Sequence, residues 1–325
     1  MNLSTIEPSE TFFNIVFSVI LLLTGIGMAI SVGFITTIRT NQSLQSIANL
    51  HACSSCIFGL FYFVFHILYV ILAFHPLPTY RQDSLLCRIT GYMYAVTCSG
   101  VCWSHAVLAF NRLCFLIFPT RKELLTYTFA RYLIGLHWLL VFVLPSPFLF
   151  FDAYRYESES RLCILTTKNT STALFAMILF YSIPTLMMIM VYIVIWLHVR
   201  RTRMAKVSRS ARNLDIMRHI LTLVIIDVIC GHPYITLIVL DYLGRASKEW
   251  YLIVIAFVTL SVTANMGAIV LFNRELRQHV FSKWLGQGAR QSTGSAPGSP
   301  MVPMHPSKDI GGIDSVRLVL RRTEL

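Results

Sequence analysis

The stretch that decides the fold runs from Cys87 to Pro119 and reads CRITGYMYAVTCSGVCWSHAVLAFNRLCFLIFP. It is mostly apolar, with no charged residue between Arg88 and Arg112. At ~1.5 Å rise per residue, a helix separates Cys87 from Arg112 by about 37 Å, more than the ~30 Å hydrocarbon core of a bilayer. The stretch therefore predicts a transmembrane helix with a cysteine at one membrane face and an arginine at the other.

The composition of the whole chain favours the same class. The 325 residues are 55% hydrophobic and 13% charged, with a mean hydropathy of +0.65. A soluble domain of this length does not need so many apolar side chains, so we expect a membrane protein. The net charge of +12 comes from clustered basic residues and adds little to a nucleic-acid interpretation. Residues 1–10 contain two glutamates and no Lys or Arg, so no cleavable signal peptide is expected.

Seven apolar runs are long enough to cross a membrane. They lie at about 12–38, 47–74, 88–118, 130–151, 173–199, 216–243 and 250–272. We therefore expect an all-α fold, a seven-transmembrane helix bundle over residues 12–272. Prolines should break the fourth span at Pro145 and Pro147, and kink the fifth at Pro184 and the sixth at Pro233.

The charges of the short loops predict the orientation. The N-terminal segment and the loops on its side carry six basic and eight acidic residues, whereas the opposite loops carry twelve basic and two acidic ones. Because basic loops stay in the cytoplasm, residues 1–11 should be extracellular and the C-terminal tail cytoplasmic, in a multi-pass plasma-membrane protein. The sequons at Asn2 and Asn169 then lie outside and could be glycosylated, while that at Asn41 lies inside.

Two of the eight cysteines differ from the rest in position. Six lie inside apolar runs, where a small apolar packing role is expected and no metal site is predicted. Cys87 and Cys163 instead lie near span ends at the same height on the predicted outer side. An oxidising compartment favours a disulfide between them; two free thiols are the alternative.

Several motifs occur in the order of a known family. Asn111-Arg112-Leu113, followed by Pro119, resembles the end of the third helix of rhodopsin-like G-protein-coupled receptors, where Asp-Arg-Tyr stands. Trp138 in span four, and Pro184 with Tyr192 in span five, are similar to that family's helices four and five. The resemblance covers roughly residues 12–285.

The chain also departs from this family's pattern. Gly231 replaces the tryptophan of Cys-Trp-x-Pro-Tyr, and Met266 and Ile269 replace the proline and tyrosine of Asn-Pro-x-x-Tyr. Asn111 and Ser54 stand where the family has aspartates. These departures leave open whether the chain signals.

The resemblance implies a ligand site on the outer side, between helices three, five, six and seven. The matching residues are Tyr94, Thr97, Cys98, Phe180, Tyr234, Ile238, Tyr251 and Ile255. None is acidic, so we expect a peptide tip, a lipid or another neutral ligand rather than a monoamine. The alternative is that these are core aromatic residues of the bundle with no ligand.

On the inner side, the resemblance implies contact with a heterotrimeric G protein. The matching residues are Asn111, Arg112, Tyr192, Arg201 and Arg212. Asn111 cannot hold Arg112 as the family's aspartate does. The alternative for the basic loop at 198–212 is a solvated segment attracted to anionic membrane lipid.

Asp227 is an acid inside a span, where a carboxylate is costly unless it faces the bundle. We expect it to replace the carboxylate missing at Ser54 and to bond to Asn265 or Ser54. With Pro233, these residues would form a switch in which a proton or a sodium ion near Asp227 biases the packing. A neutral acid bonded to a backbone carbonyl is the alternative.

The C-terminal part contains two further signals. Residues 273–285 place apolar side chains on one face and predict a short amphipathic eighth helix on the membrane surface, with a helix packed on the bundle as the alternative. Residues 286–315 are rich in Gly, Ser and Pro, and residues 286–325 should form a disordered cytoplasmic tail. Thr323-Glu324-Leu325 matches the C-terminal pattern that PDZ domains bind.

The resemblance implies a receptor that transduces an extracellular ligand signal to heterotrimeric G proteins, with no enzymatic activity and no cofactor. A non-signalling decoy or scaffold receptor is the first alternative. A secondary transporter is the second, although the sequence shows no internal repeat.

Overall fold

The computed structural model describes residues 10–75, 80, 84–202, 207–273 and 276–277, with side chains left out at 202 and 207–216. The helices are α1 Glu10–Thr40, α2 Ile47–Phe74, α3 Leu85–Ile117, α4 Tyr127–Val143, α5 Pro147–Phe150, α6 Thr170–Met177, α7 Ile183–Thr202, α8 Val207–Tyr242 and α9 Lys248–Phe272. Two strands, β1 Tyr154–Glu157 and β2 Leu162–Leu165, lie between α5 and α6, and a π-helical segment, Ile178–Ser182, joins α6 to α7.

Seven of these helical segments are long and apolar enough to cross a membrane. The fourth is α4 with α5, and the fifth is α6 with the π-helical segment and α7. The predicted seven-helix bundle is therefore confirmed, and every predicted span overlaps the observed one.

Local sequence explains where several spans begin and end. The side chains of Ser46, Ser84, Thr126 and Asn169 each accept a hydrogen bond from a backbone N–H three residues further on, at the start of α2, α3, α4 and α6. As predicted, α4 ends just before Pro145-Ser-Pro147.

Polarity in the bundle is distributed as a bilayer requires. Large apolar side chains such as Leu22 and Leu271 are exposed on the outer faces of α1 and α9, whereas polar side chains such as Ser31 and His105 are buried. Lipid solvates the apolar exterior, and a polar side chain costs less free energy facing the bundle interior than facing lipid. Close helix contacts hold the interior together: a Cβ at Gly100 of α3 would lie 2.4 Å from the ring of Phe58 of α2.

An antiparallel β-hairpin, absent from our prediction, covers one end of the bundle. Tyr154 pairs with Leu165, and Tyr156 pairs with Cys163. The predicted disulfide between Cys87 and Cys163 is confirmed; it ties β2 to the start of α3, with the Cα atoms 5.3 Å apart. We call this end of the bundle the hairpin end.

Two tyrosines reinforce the attachment of the hairpin. The backbone N–H of Cys163 donates to the hydroxyl of Tyr80 at 3.0 Å. The hydroxyl of Tyr69 contacts the carbonyls of Cys163, at 3.0 Å, and of Thr90. Burial raises the pKa of Tyr80, so its phenol stays neutral and able to hydrogen-bond. The hairpin is therefore fixed by covalent and polar contacts to α2 and α3.

Several predictions lie largely or wholly outside the described residues: the N-terminal segment 1–11 with Asn2, the disordered tail 286–325, and the amphipathic helix 273–285. Of that helix, the structure describes residues 273, 276 and 277. There the side chain of Asn273 accepts from the N–H of Leu276 at 3.0 Å and donates to Asn49 of α2 at 2.6 Å.

Candidate functional site

A cavity of about 180 Å³ lies under the hairpin, between α3, the π-helical segment, α8 and α9. Its walls are almost entirely apolar and aromatic. Of the eight residues predicted for a ligand site, six line it: Tyr94, Cys98, Phe180, Tyr234, Tyr251 and Ile255. The cavity lies between the helices, and at the end of the bundle, where the ligand site was expected.

Two of the eight do not line the cavity. Thr97 is buried and donates to the carbonyl of Tyr94 on its own helix at 2.9 Å. Ile238 is buried elsewhere, and the preceding residue, Leu237, contacts the cavity instead. Consecutive residues of a helix point about 100° apart, so a small error in helix rotation exchanges neighbours in this way.

The mouth of the cavity is formed by residues that the sequence did not single out. Ile164, Leu165 and Thr167 follow Cys163 along the chain and lie over the opening. The signal that could have found them is the disulfide, because a bond to α3 at Cys163 brings the next few residues across the helix ends.

Asp241 joins three elements at this mouth. Its carboxylate accepts hydrogen bonds from the hydroxyl of Tyr251 on α9, at 2.7 Å, and from that of Thr167 after the hairpin. Asp241 falls near the end of the sixth predicted span, 216–243. In the structure α8 continues through it and ends near Gly244, whose φ of +62° suits a helix terminus.

Ion pairs hold the hairpin itself. Lys168 lies 2.7 Å from Glu157 and 3.4 Å from Glu159, and Thr166 donates to Glu157 at 2.6 Å. Burial lowers the pKa of Lys168, but the two glutamates outweigh it and the pKa lies above its usual value. Burial likewise opposes ionisation of Glu159, yet hydrogen bonds from its backbone and Ser158, with the charge of Lys168, hold its pKa below the usual value.

Asp227 lies among the residues at the cavity's inner end and is 3% exposed. One carboxylate oxygen accepts from Asn265 Nδ2 of α9 at 2.7 Å, and Ser261 lies 3.4 Å away. Ser54, the other expected partner, instead accepts from Trp138 Nε1 at 3.1 Å. The structure thus brings Asp227 and Asn265 together and leaves Ser54 apart.

His105 is a neighbour of Asp227 that sequence reasoning missed. Its Nδ1 lies 3.8 Å from the second carboxylate oxygen, and the imidazole is fully buried on α3. Among the described residues neither ring nitrogen has a hydrogen-bond partner. The sequence signal that could have found it was a histidine in the stretch between Arg88 and Arg112, which contains no Asp, Glu, Lys or Arg.

The opposite end of the bundle holds the residues expected to meet a G protein. Asn111 is fully buried, and neither atom of its amide is hydrogen-bonded within the described part of the chain. Arg112 is half-buried and interacts electrostatically with His51 of α2 and His219 of α8. Tyr192 packs on the core cluster of α3, α7 and α8. Arg201 is exposed, and the side chain of Arg212 lies outside the described residues.

The described ranges hold no set of three or more His, Cys, Asp or Glu side chains that could hold a metal ion. A sodium ion near Asp227 would therefore need hydroxyl, amide or water oxygens as its remaining ligands.

The fold and the cavity define a multi-pass membrane protein of the seven-helix receptor class. A family model described as 7 transmembrane receptor (rhodopsin family) matches residues 31–267. The chain belongs to this family, as its motifs indicated.

Curated relatives are similar to parts of the chain. Cysteinyl leukotriene receptor 1 of Mus musculus is 28% identical over 137 residues, 39% of this chain and 39% of that protein. Melatonin receptor type 1C of Xenopus laevis is 21% identical over 219 residues, 65% of this chain and 50% of the relative. Melatonin receptor type 1B-B of Danio rerio is 23% identical over 233 residues, 64% of this chain and 67% of the relative. The first two matches thus span half or less of the relatives' own length.

Proposed function

We propose that this chain is a receptor that transduces an extracellular ligand signal to heterotrimeric G proteins. One observation carries the proposal: the apolar cavity begins under the hairpin and ends at Asp227, which is bonded to Asn265 of the seventh span. A ligand in this cavity would contact the residues that hold α8 to α9. The loop charges support an extracellular position for the hairpin end.

The ligand that suits this cavity is uncharged and largely apolar, such as a lipid or the tip of a peptide, and not a monoamine. Its walls are aromatic and aliphatic, and Tyr94 stands on α3 where an acid would be needed for an amine. Asp241 and Asp227 are each already engaged by hydrogen bonds from the protein. The relatives are named for cysteinyl leukotriene and melatonin, and we assign neither to this chain.

Signal transfer would be a shift of population between two packings of the bundle. Ligand binding at the hairpin end would move α8, which contains Pro233, and open the other end around Arg112. Asp227 with Asn265 is the proposed switch; Ser54, bonded to Trp138, would act on it only indirectly. Asn111, Tyr192, Arg201 and Arg212 would border the opened surface.

Nucleotide exchange tests this function. The receptor in lipid nanodiscs, mixed with a panel of purified heterotrimeric G proteins, should accelerate GTPγS binding by at least one of them. Arg112→Ala should abolish the acceleration, whereas Arg131→Ala, an exposed arginine on α4, should not. No exchange with any G protein, basal or driven by a lipid-extract library, would reject the proposal in favour of the non-signalling receptor.

Two further partners and two glycosylation sites are proposed from the sequence. The C-terminal Thr323-Glu324-Leu325 would add a strand to a PDZ domain, and the basic loop at 198–212 would contact anionic lipid. Glycans are proposed on Asn2 and Asn169. Asn169 is exposed, and its Oδ1 caps α6 by accepting from Thr172, which leaves Nδ2 for the glycosidic bond.

A further inference from the structure

Tyr181 and Gly231 form a close contact between the fifth and sixth spans. A Cβ built on Gly231 would lie 2.4 Å from both Cζ and the hydroxyl of Tyr181, so no side chain fits there while the ring keeps its place. Both residues line the cavity. The ring of Tyr181 therefore fills, from α7's side, the space that a side chain of α8 would otherwise take.

The backbone explains why Tyr181 reaches α8. It lies in the π-helical segment, where the N–H of Ile183 bonds to the carbonyl of Ile178, five residues earlier. Pro184 follows at once and has no N–H to donate, which disrupts the regular hydrogen-bond pattern there. A π-turn inserts one residue and rotates the side chains around it, and such turns concentrate at functional sites.

The hydroxyl of Tyr181 also bonds to α8. It donates to the backbone carbonyl of Asp227 at 2.8 Å. The carboxylate of the same residue accepts from Asn265 of α9 and faces His105 of α3. One aromatic ring is thus in contact with the cavity on one side and with a junction of four spans on the other.

We propose that Tyr181 is the residue through which the receptor senses how far a ligand reaches into the cavity. An apolar ligand group that arrives at the inner end displaces the ring from Gly231 and breaks the bond to the Asp227 carbonyl. Shorter ligands occupy the cavity and leave this contact intact. The inference rests on the proposed function and deepens it, because it names the chemistry of an activating ligand: a slim apolar end long enough to reach Tyr181.

Substitutions can imitate such a ligand. Gly231→Ala places a methyl group where the ring lies, Tyr181→Phe removes the hydroxyl and keeps the ring, and Tyr181→Ala removes both. Gly267→Ala is the matched glycine control, since a Cβ there meets nothing within 4 Å. Tyr242→Phe is the matched hydroxyl control on an exposed tyrosine.

The measurement is the distance between spin labels on the full-length receptor in nanodiscs, without any G protein. Labels carried by non-canonical amino acids at the exposed positions Tyr132 of α4 and Arg218 of α8 leave the native cysteines unchanged. Each of the two packings of the bundle gives its own label distance, and the ratio of their populations reports the equilibrium between them. We expect Tyr181→Phe to change this population ratio about fivefold, the effect of losing one buried hydrogen bond. Gly231→Ala should change it further in the same direction, and both controls should match the wild type.

A double-mutant cycle isolates the role of the ring. If Gly231→Ala acts by displacing Tyr181, it has no further effect in the Tyr181→Ala background. An equal effect in both backgrounds, or a wild-type distribution for Tyr181→Phe, overturns the proposal; should Gly231→Ala not fold, the Tyr181→Phe and Tyr242→Phe comparison decides. Because no G protein is present, a distance change without nucleotide exchange would reject coupling to G proteins and leave Tyr181 as the conformational sensor of a non-signalling receptor.

Discussion

Replacing Asp227 by asparagine keeps the shape of the side chain and removes its charge. In the structure the carboxylate accepts from Asn265 at 2.7 Å and lies 3.8 Å from His105. An amide at this position can still accept from Asn265, so the contact between α8 and α9 is weakened and not abolished. We expect the variant to reach the cell surface normally and to raise basal signalling.

The size of the effect follows from these contacts. A hydrogen bond to a charged group contributes about 1.5–3 kcal/mol and a neutral one about 1 kcal/mol, so the loss is about 1 kcal/mol, or about fivefold in the equilibrium between packings. A change near fivefold in the basal rate is therefore the expected result of losing the charged acceptor.

The assay is basal GTPγS exchange at matched surface expression, measured over a range of pH and of sodium concentration. Asp227→Asn should raise the basal rate and remove its dependence on both. Asp152→Asn serves as the matched control, because this exposed aspartate pairs with Arg88 at the hairpin end. A basal rate, pH dependence and sodium dependence equal to those of the wild type would refute the switch and leave Asp227 a purely structural role.

Three further outcomes are expected. The hairpin's ion pairs persist above the lowered pKa of Glu159 and below the raised pKa of Lys168. Protection of the hairpin amides against hydrogen exchange should therefore be constant from about pH 6 to about pH 9, fall in acid, and decrease slightly in Lys168→Met. Protection that does not change in acid would contradict this. Glycosylation mapping should find a glycan on Asn169 and none on Asn41. The reverse result would show that the predicted orientation in the membrane is inverted. Deleting Leu325 should abolish capture of the receptor by a PDZ array, and failure of the intact tail to bind would remove that partner.

Local sequence was sufficient to predict the spans. Hydropathy over 20 or so residues is a property of each segment alone, and prolines and capping residues act within a few positions. The disulfide between Cys87 and Cys163 was also predictable, because counting spans places both cysteines on one side of the membrane. The contact of Asp227 with Asn265 could be anticipated, since a buried carboxylate needs a donor and few polar residues share its depth.

Other features depended on how the helices face each other. The exchange of Ile238 for Leu237 at the cavity is a matter of helix rotation, which hydropathy cannot define when both neighbours are apolar. The hairpin consists of two strands of four residues, too short for a reliable alternation pattern. Asp241 bonds to Thr167 and Tyr251, one of them 74 residues away, and no local signal predicts such a pair.

The contact of Tyr181 with Gly231 shows the difference most clearly. The sequence alone determined that residue 231 lacks a side chain where the family has a tryptophan, and this looked like a loss. Only the tertiary structure decided that a ring from the neighbouring span fills the space, because a π-helical segment turns Tyr181 toward α8. Which atoms fill a gap between helices depends on the packing of both partners, and that information is not carried by either segment by itself.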